Sequence, residues 1–198
     1  NMLFEGLKEK DEYYYKVYCL GEWGSISNAR VYNHFECHDF DIQPTQIYQG
    51  MDFGYNDPTA FIRCYVYDQE LYIFDEYYKT ERIIDDVAKD FSAREDIQEI
   101  KDTMTIGDTA SPSSIKFLKR EGWRITEAKK GPDSVMAGIN YIKSFKKVHI
   151  HPKCYNTLKE FRAYKFIETK TGIQKDKPLD ADNHLMDALR YALENRRL

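Results

Sequence analysis

Apolar residues recur along this chain with two different periods, and the points where the period changes mark its elements. The run "IYQGMDFGY" from Ile47 predicts a buried strand. "TAFIRCYVYD" and "ELYIFDEYY" predict two more, joined by a tight turn at Asp68-Gln69. Three consecutive strands of this kind form an antiparallel meander. In "ERIIDDVAKDFSARED" the spacing of Ile83, Ile84, Val87 and Phe91 is helical, and "MTIGD" then reads as a short strand ending in an acid. Helix and strand alternate from there: helix "SPSSIKFLKREG", strand "WRITEAK", a helix from about Ser134 to Phe145, strand "KVHIHP", and helix "YNTLKEFRAYKF". A polar, Gly-containing stretch, "ETKTGIQKDKPLD", suits a hairpin, and "ADNHLMDALRYALENRR" is a closing helix. This alternation predicts an α/β fold in which an antiparallel meander is followed by strands paired in parallel. The stretch "NHFECHDFDIQPTQ" with Pro44 reads as a connector, so residues 1–45 are assigned to a linker and 46–198 to the folded domain.

Composition narrows the class. A chain of 198 residues, 42% hydrophobic and 31% charged, suits one globular domain with a sizeable core. No apolar run reaches membrane-spanning length, and the first residues lack the apolar stretch of a signal peptide, so a reducing, cytoplasm-like setting without a membrane is expected. Cys19, Cys37, Cys64 and Cys154 are scattered with no CxxC and are read as free thiols. A formal net charge of -4 argues against gripping nucleic acid by bulk charge. From Lys116 to Lys147, however, nine basic residues face three acidic ones, which is either a solvated helix surface or a phosphate-facing patch.

Three acids stand where an order of this kind brings chain segments together. Asp52 ends the first strand of the meander, Asp108 ends "MTIGD", and Asp187 lies on the last helix, one turn beyond an expected N-cap at Asp182. Asp52 belongs to an Asp-Phe-Gly tripeptide, but the glycine-rich loop, strand lysine and His-Arg-Asp loop of a kinase do not precede it. Carboxylates gathered in one partly desolvated site repel, and cations or protons must neutralise them. Magnesium or manganese suits such oxygen ligands, and two of these ions together support hydrolysis of a phosphodiester. Each acid also has a plain local role open to it: Asp108 can shape a strand-to-helix turn, and Asp187 can pair with Arg190.

Taken in order, "YYYKVYCLGEWG", "YQGMDFGYNDPTAFI", "IGDTASPSSI", "AKKGPDSVMAGI", "VHIHPKCYNTLKEFRAYKF" and "DADNHLMDALRYAL" resemble the nuclease domain of the large terminase subunit of tailed bacteriophages and their prophages. The resemblance implies a ribonuclease H-like fold, a central mixed β-sheet flanked by helices, and metal-dependent cutting of double-stranded DNA concatemers during viral genome packaging, with two divalent ions, Mg2+ or Mn2+. It maps the metal-binding, catalytic acids onto Asp52, Asp108 and Asp187, with Asp57 as a secondary acid or a turn former before Pro58. His184, one helical turn ahead of Asp187, either serves the site or simply starts the helix. Lys130, with Lys129 beside it, resembles a position at the site's edge where an ammonium holds phosphate; a surface lysine is the alternative. Glu160 and Tyr191 are read as a helix-surface and a packing residue. The stretch from about Ala163 to Lys177 resembles a β-hairpin beside the cleft that gates access.

Family members carry an ATPase motor ahead of the nuclease, and this sequence has no GxxxxGK[ST] loop, so it reads as the C-terminal part of a longer chain. The resemblance also implies a portal protein and a small terminase subunit as partners, in the cytoplasm of a bacterial host. Two rival functions share the acids: another ribonuclease H-like nuclease, such as a junction resolvase or exonuclease, and a non-catalytic module that docks portal or small-terminase partners. A haloacid-dehalogenase-type phosphatase needs a second Asp where Gly54 stands. A zinc site built from His34, Cys37, His38, His149, His151 and Cys154 has ligand types but no common zinc-module spacing.

Overall fold

In the computed structural model the described residues are 29–42, 45–168 and 174–196. The segment "YYYKVYCLGEWG" lies outside them. The strands are β1 (Phe35–Cys37), β2 (Ile47–Asp52), β3 (Thr59–Tyr67), β4 (Glu70–Lys79), β5 (Thr105–Gly107), β6 (Ile125–Glu127) and β7 (Val148–Ile150), with β8 (Phe166–Glu168) and β9 (Gln174–Pro178) forming a separate hairpin. The helices are α1 (Ile84–Ser92), α2 (Ile97–Asp102), α3 (Pro112–Arg120), α4 (Ser134–Lys143), α5 (Tyr155–Ala163) and α6 (His184–Ala192). One sheet runs β1-β7-β4-β3-β2-β5-β6. Its β2-β3-β4 meander is antiparallel, while β5, β6, β7 and β1 pair in parallel.

The meander forms because its strands are apolar on both faces. In β3, Ala60, Ile62 and Cys64 join one core and Phe61 joins the other, the alternation of a pleated strand covered on both sides. Behind the first face lie Leu185, Met186, Ala188 and Leu189 of α6 with Leu158 and Phe161 of α5. On the second, Met51, Phe61 and Tyr77 pack against Val87 and Phe91 of α1, Ile115 and Leu118 of α3, and Trp123. Each such side chain, fully buried, contributes about 1.5–3 kcal/mol. The turn at Asp68-Gln69 has both residues in the left-handed region (φ 46 and 65), as a two-residue hairpin matching the twist of its strands requires.

Helix α6 lies against β2 with almost no clearance. A Cβ on Gly50 would sit 1.9 Å from the Ala188 carbonyl oxygen and 2.6 Å from the Ala192 nitrogen, so only glycine lets the helix backbone approach this strand.

Four boundaries differ from the sequence reading. Residues assigned to a linker supply part of the folded body: β1 pairs with β7, and Ala29, Val31 and Tyr32 are buried, so a domain edge at 45 cuts through packed structure. Helix α1 stops at Ser92, and a second helix, α2, follows where none was expected; Ile97 and Ile100 fall one turn apart and turn inward. Helix α5 ends at Ala163 because Tyr164 turns extended (ψ 118), which releases "YKF" to begin the hairpin. Asp182 sits in the left-handed region (φ 49) and Asn183 takes the N-cap of α6.

Candidate active site

The parallel pairing of β2 with β5 sets two of the acids side by side. Met51 pairs with Gly107, so Asp52 and Asp108 leave adjacent strands at the same end, and the Asp108 N–H donates to the Met51 carbonyl at 2.9 Å. Asp187 reaches this end from α6, which packs across β2 at Gly50. The three charges feel one another. Burial pushes the Asp52 carboxyl up, and the charges of Asp187 and Asp108 push it further, against a hydrogen bond from His184 that lowers it. Tyr191, raised by burial, is raised again by the charges of Asp187, Asp108 and Asp52.

Each acid is turned to a cation of its own. His184 donates from Nδ1 to Asp52 Oδ2 at 3.0 Å, and this bond holds the His184 imidazole above its usual range. The Lys130 ammonium pairs with Asp108, and the Arg190 guanidinium pairs with Asp187. Asp108 also accepts the Ala110 N–H at 3.2 Å, and Asp187 accepts the Asn183 amide at 3.2 Å. The local roles open to Asp108 and Asp187 are thus filled, although Arg190 is buried and not on the helix surface. The structure does not bring the Lys129 side chain to the acids: it is exposed, and the backbone N–H of Lys129 donates to Glu194 Oε2 at 2.8 Å. Asp57 is exposed, and its charge reaches His184.

Glu160 is the residue that sequence reasoning placed wrongly. It is buried, and its Oε2 accepts the N–H groups of Leu185 (2.8 Å) and Met186 (3.1 Å), satisfying two donors at the start of α6 from another helix. Burial raises its carboxyl to about 7. A glutamate five residues into "YNTLKEFRAYKF" gives no hint that it faces a helix end distant in sequence. Its flanking apolar residues, Leu158 and Phe161, carry the only signal.

A groove beside Asp187 and Arg190 is lined by Tyr164, Asn183 and Ser134 and by Lys177 and Pro178 of β9, so the hairpin stands at the edge of the acid site. The basic surplus between Lys116 and Lys147 does not form one patch. Lys130 is on Asp108, while Lys146 and Lys147 pair with Asp68 and Glu36 near the opposite end of the sheet.

A mixed sheet with an antiparallel meander, parallel flanking strands and a helix carrying an acid across its centre is the ribonuclease H-like architecture. Residues 52–195 match the family described as Terminase RNAseH like domain, and the chain belongs to that family. It is 36% identical over 203 residues to the terminase large subunit of Bacillus phage SPP1, covering 96% of this chain and 47% of that protein. It is 29% identical over 204 residues to the PBSX phage terminase large subunit of Bacillus subtilis (strain 168), covering 96% and 46%. The chain therefore spans about half the length of the curated relatives it matches. Among solved structures it is similar to the nuclease domain of the SPP1 large terminase with bound Mn, with a TM-score of 0.72 and 30% identity over 82% of this chain and 97% of that one. The P22 large terminase nuclease domain shares the fold, with a TM-score of 0.64 at 18% identity, over 87% and 95%.

Proposed function

We propose that this chain is a metal-dependent endonuclease that cuts double-stranded DNA concatemers during viral genome packaging. The observation that carries the reading is the arrival of Asp52, Asp108 and Asp187 from β2, β5 and α6 at one end of the sheet, in a chain whose SPP1 relative is described with bound Mn. The donor set fits hard divalent ions: three carboxylates, one of them desolvated enough that burial and its neighbours raise its proton affinity. Asp52, Asp108 and Asp187 would hold Mg2+ or Mn2+. A pair of such ions, when bound, activates water and stabilises the leaving oxygen of a phosphodiester.

The chain's own residues prepare that chemistry. His184 holds a proton against Asp52 and is placed to orient a water or to pass that proton on. Lys130 neutralises Asp108 until a cation replaces it, and its ammonium is then free to meet a phosphate. Glu160 fixes the first turn of α6, and with it the positions of His184 and Asp187. The β8-β9 hairpin, beside the groove at Asp187, gates DNA entry. An ATPase motor within the longer chain, a portal protein and a small terminase subunit would deliver DNA in the bacterial cytoplasm. Among the described residues no helix is long and apolar enough to cross a membrane.

The three ion pairs also suit a docking module whose acids are no longer catalytic, and one assay separates the readings. Supercoiled plasmid incubated with the chain and Mn2+ is expected to be linearised and degraded, with chelator abolishing the reaction. A chain that leaves plasmid intact at all Mn2+ and Mg2+ concentrations is not a nuclease.

A further inference from the structure

The tightest cluster of potential metal ligands lies away from the aspartates. Among the described residues, Glu36, His38 and His149 form the set of three whose donor atoms all lie within 4.8 Å of one another. Strand register assembles it. Glu36 of β1 pairs with His149 of β7, and His38, two residues beyond Glu36, falls on the same face. His149 pairs with Tyr72 on β4, whereas Asp52 is level with Ala60 and hence with Tyr78. The two sites are thus about 20 Å apart along the strands, at ~3.3 Å per residue.

His38 Nε2 is 2.8 Å from His149 Nδ1 and 3.3 Å from Glu36 Oε1, and His149 Nδ1 is 3.1 Å from the same oxygen. Ligand atoms about 2.0–2.1 Å from a tetrahedral zinc ion are roughly 3.3 Å apart, so this triangle is close to one face of that tetrahedron. The outer atoms are already engaged. His38 Nδ1 lies 2.9 Å from the Asp39 carbonyl oxygen, and His149 Nε2 lies 3.0 Å from Glu70 Oε2. Both partners are acceptors, which favours the proton on each outer nitrogen and keeps the inner nitrogens, His38 Nε2 and His149 Nδ1, for a cation between them; without one, their 2.8 Å contact needs a shared proton. Glu36 Oε2 accepts from Lys147 at 2.8 Å, which leaves Oε1 facing the same point. Glu70 is itself fixed by the Tyr72 hydroxyl at 3.0 Å, and the Tyr72 ring stacks on His149 with centroids 4.3 Å apart. A carboxylate behind a ligating imidazole is the usual outer shell of a zinc histidine.

We propose that Glu36, His38 and His149 form a zinc site that clips the edge strand β1 to β7. Two imidazoles and one carboxylate suit Zn2+ better than Mg2+. The ligand set differs from the one read in the sequence. His34 turns instead to the Ile142 carbonyl, Cys154 is buried near the Ile73 carbonyl, and His151 pairs with Asp39. A glutamate takes the place of the cysteines.

The test is Zn2+ binding by competition with a chromophoric chelator, with Co2+ absorption as a second probe. It is run on the chain as given and on Asp52→Asn, His38→Ala and Glu70→Gln. The expected result is one Zn2+ per chain, retained in Asp52→Asn, weakened at least tenfold in His38→Ala, and weakened about 10–100-fold in Glu70→Gln. Co2+ should give the intense visible bands of a four- or five-coordinate site, and Zn2+ should raise the melting temperature of the chain as given. His38 lies beyond the last residue of β1, and an unchanged circular dichroism spectrum for His38→Ala separates ligand loss from unfolding. Absence of Zn2+ uptake overturns the proposal, as does uptake that disappears in Asp52→Asn and survives in His38→Ala. A His149 imidazolium bridging Glu36 and Glu70 without metal would give the first of these results.

Discussion

The aspartate end of the sheet and its histidine edge assemble charged side chains by opposite rules. At the first, Asp52, Asp108 and Asp187 each face a different protein cation, so their charges are balanced pair by pair. At the second, the donor atoms of Glu36, His38 and His149 face one another, and the protein's other groups hold the far sides of those same residues. Proximity of carboxylates is thus not the same as preorganisation for metal. On the proposed readings, a hard ion at the aspartates has to displace His184, Lys130 and Arg190, whereas Zn2+ at the histidine edge would meet a geometry set beforehand.

The largest effect expected is at the aspartate end. Asp52→Asn removes one hard ligand and the partner of His184, and Mn2+-dependent plasmid cleavage should fall more than ~100-fold, beyond the ~10–100-fold seen for outer-shell changes. Gel assays measure this. Cleavage retained within a few-fold would show that the chemistry resides elsewhere. Gly50→Ala attacks the same end through packing. Its methyl would overlap the backbone of α6, so the helix must shift, at about 1–3 kcal/mol of stability or more. Thermal melts should show that loss together with weakened cleavage, because Asp187 and His184 move with the helix. Zn2+ binding at the histidine edge should remain in molecules still folded. Unchanged melting would mean that β2 and α6 are less closely packed than described.

Lys130→Met sharpens the contrast with a smaller change. Removing the ammonium leaves Asp108 without its cation, and the Mn2+ concentration for half-maximal cleavage should fall by roughly 1.4–5-fold, the scale of a half-exposed ion pair worth ~0.2–1 kcal/mol. If the same ammonium meets a phosphate in the complex, KM for DNA rises at saturating Mn2+. An unchanged metal requirement would show that Lys130 does not compete with the ion.

How much of this was legible in the sequence follows from how far each feature depends on local pattern. The meander, its Asp68-Gln69 turn and α6 were readable because a strongly apolar run, a two-residue turn and helical spacing each act within a dozen residues. The positions of Asp52, Asp108 and Asp187 at strand or helix ends were readable for the same reason. Their individual cations were not, since Lys130 meets Asp108 only after the chain has crossed α3 and β6. Strand β1 was missed because its three residues are only partly buried and become a strand by pairing with β7, more than a hundred residues away. Buried Arg63 shows the same limit. Nothing in "TAFIRCYVYD" reveals that its guanidinium meets Asp96, Glu99 and Asp75 from two other elements.

Glu160 gives the smallest and most selective test, because it asks which end of the sheet makes folding sensitive to pH. Burial raises its carboxyl in the folded chain to about 7 from an ordinary 4.5, so the folded state binds this proton more tightly than the unfolded state does. Below about 4.5 both states are protonated and the group is neutral with respect to stability. Between 4.5 and 7 only the unfolded state ionises, and stability falls as pH rises. Above 7 both are ionised and the loss is complete. Glu160→Gln keeps an oxygen that can accept from Leu185 and Met186 but has no proton to release, so the decline in melting temperature across that window should be shallower in the variant. His184, raised by Asp52, also loses stabilisation as pH rises, with the same sign. Its shift comes mainly from Asp52, which both proteins keep, but the Glu160 charge also raises it, so the difference between the two melting curves reports Glu160 together with its coupling to His184. Equal slopes from pH 4.5 to 7 would mean that Glu160 is already ionised where it caps α6, with the N–H groups of that helix outweighing its burial.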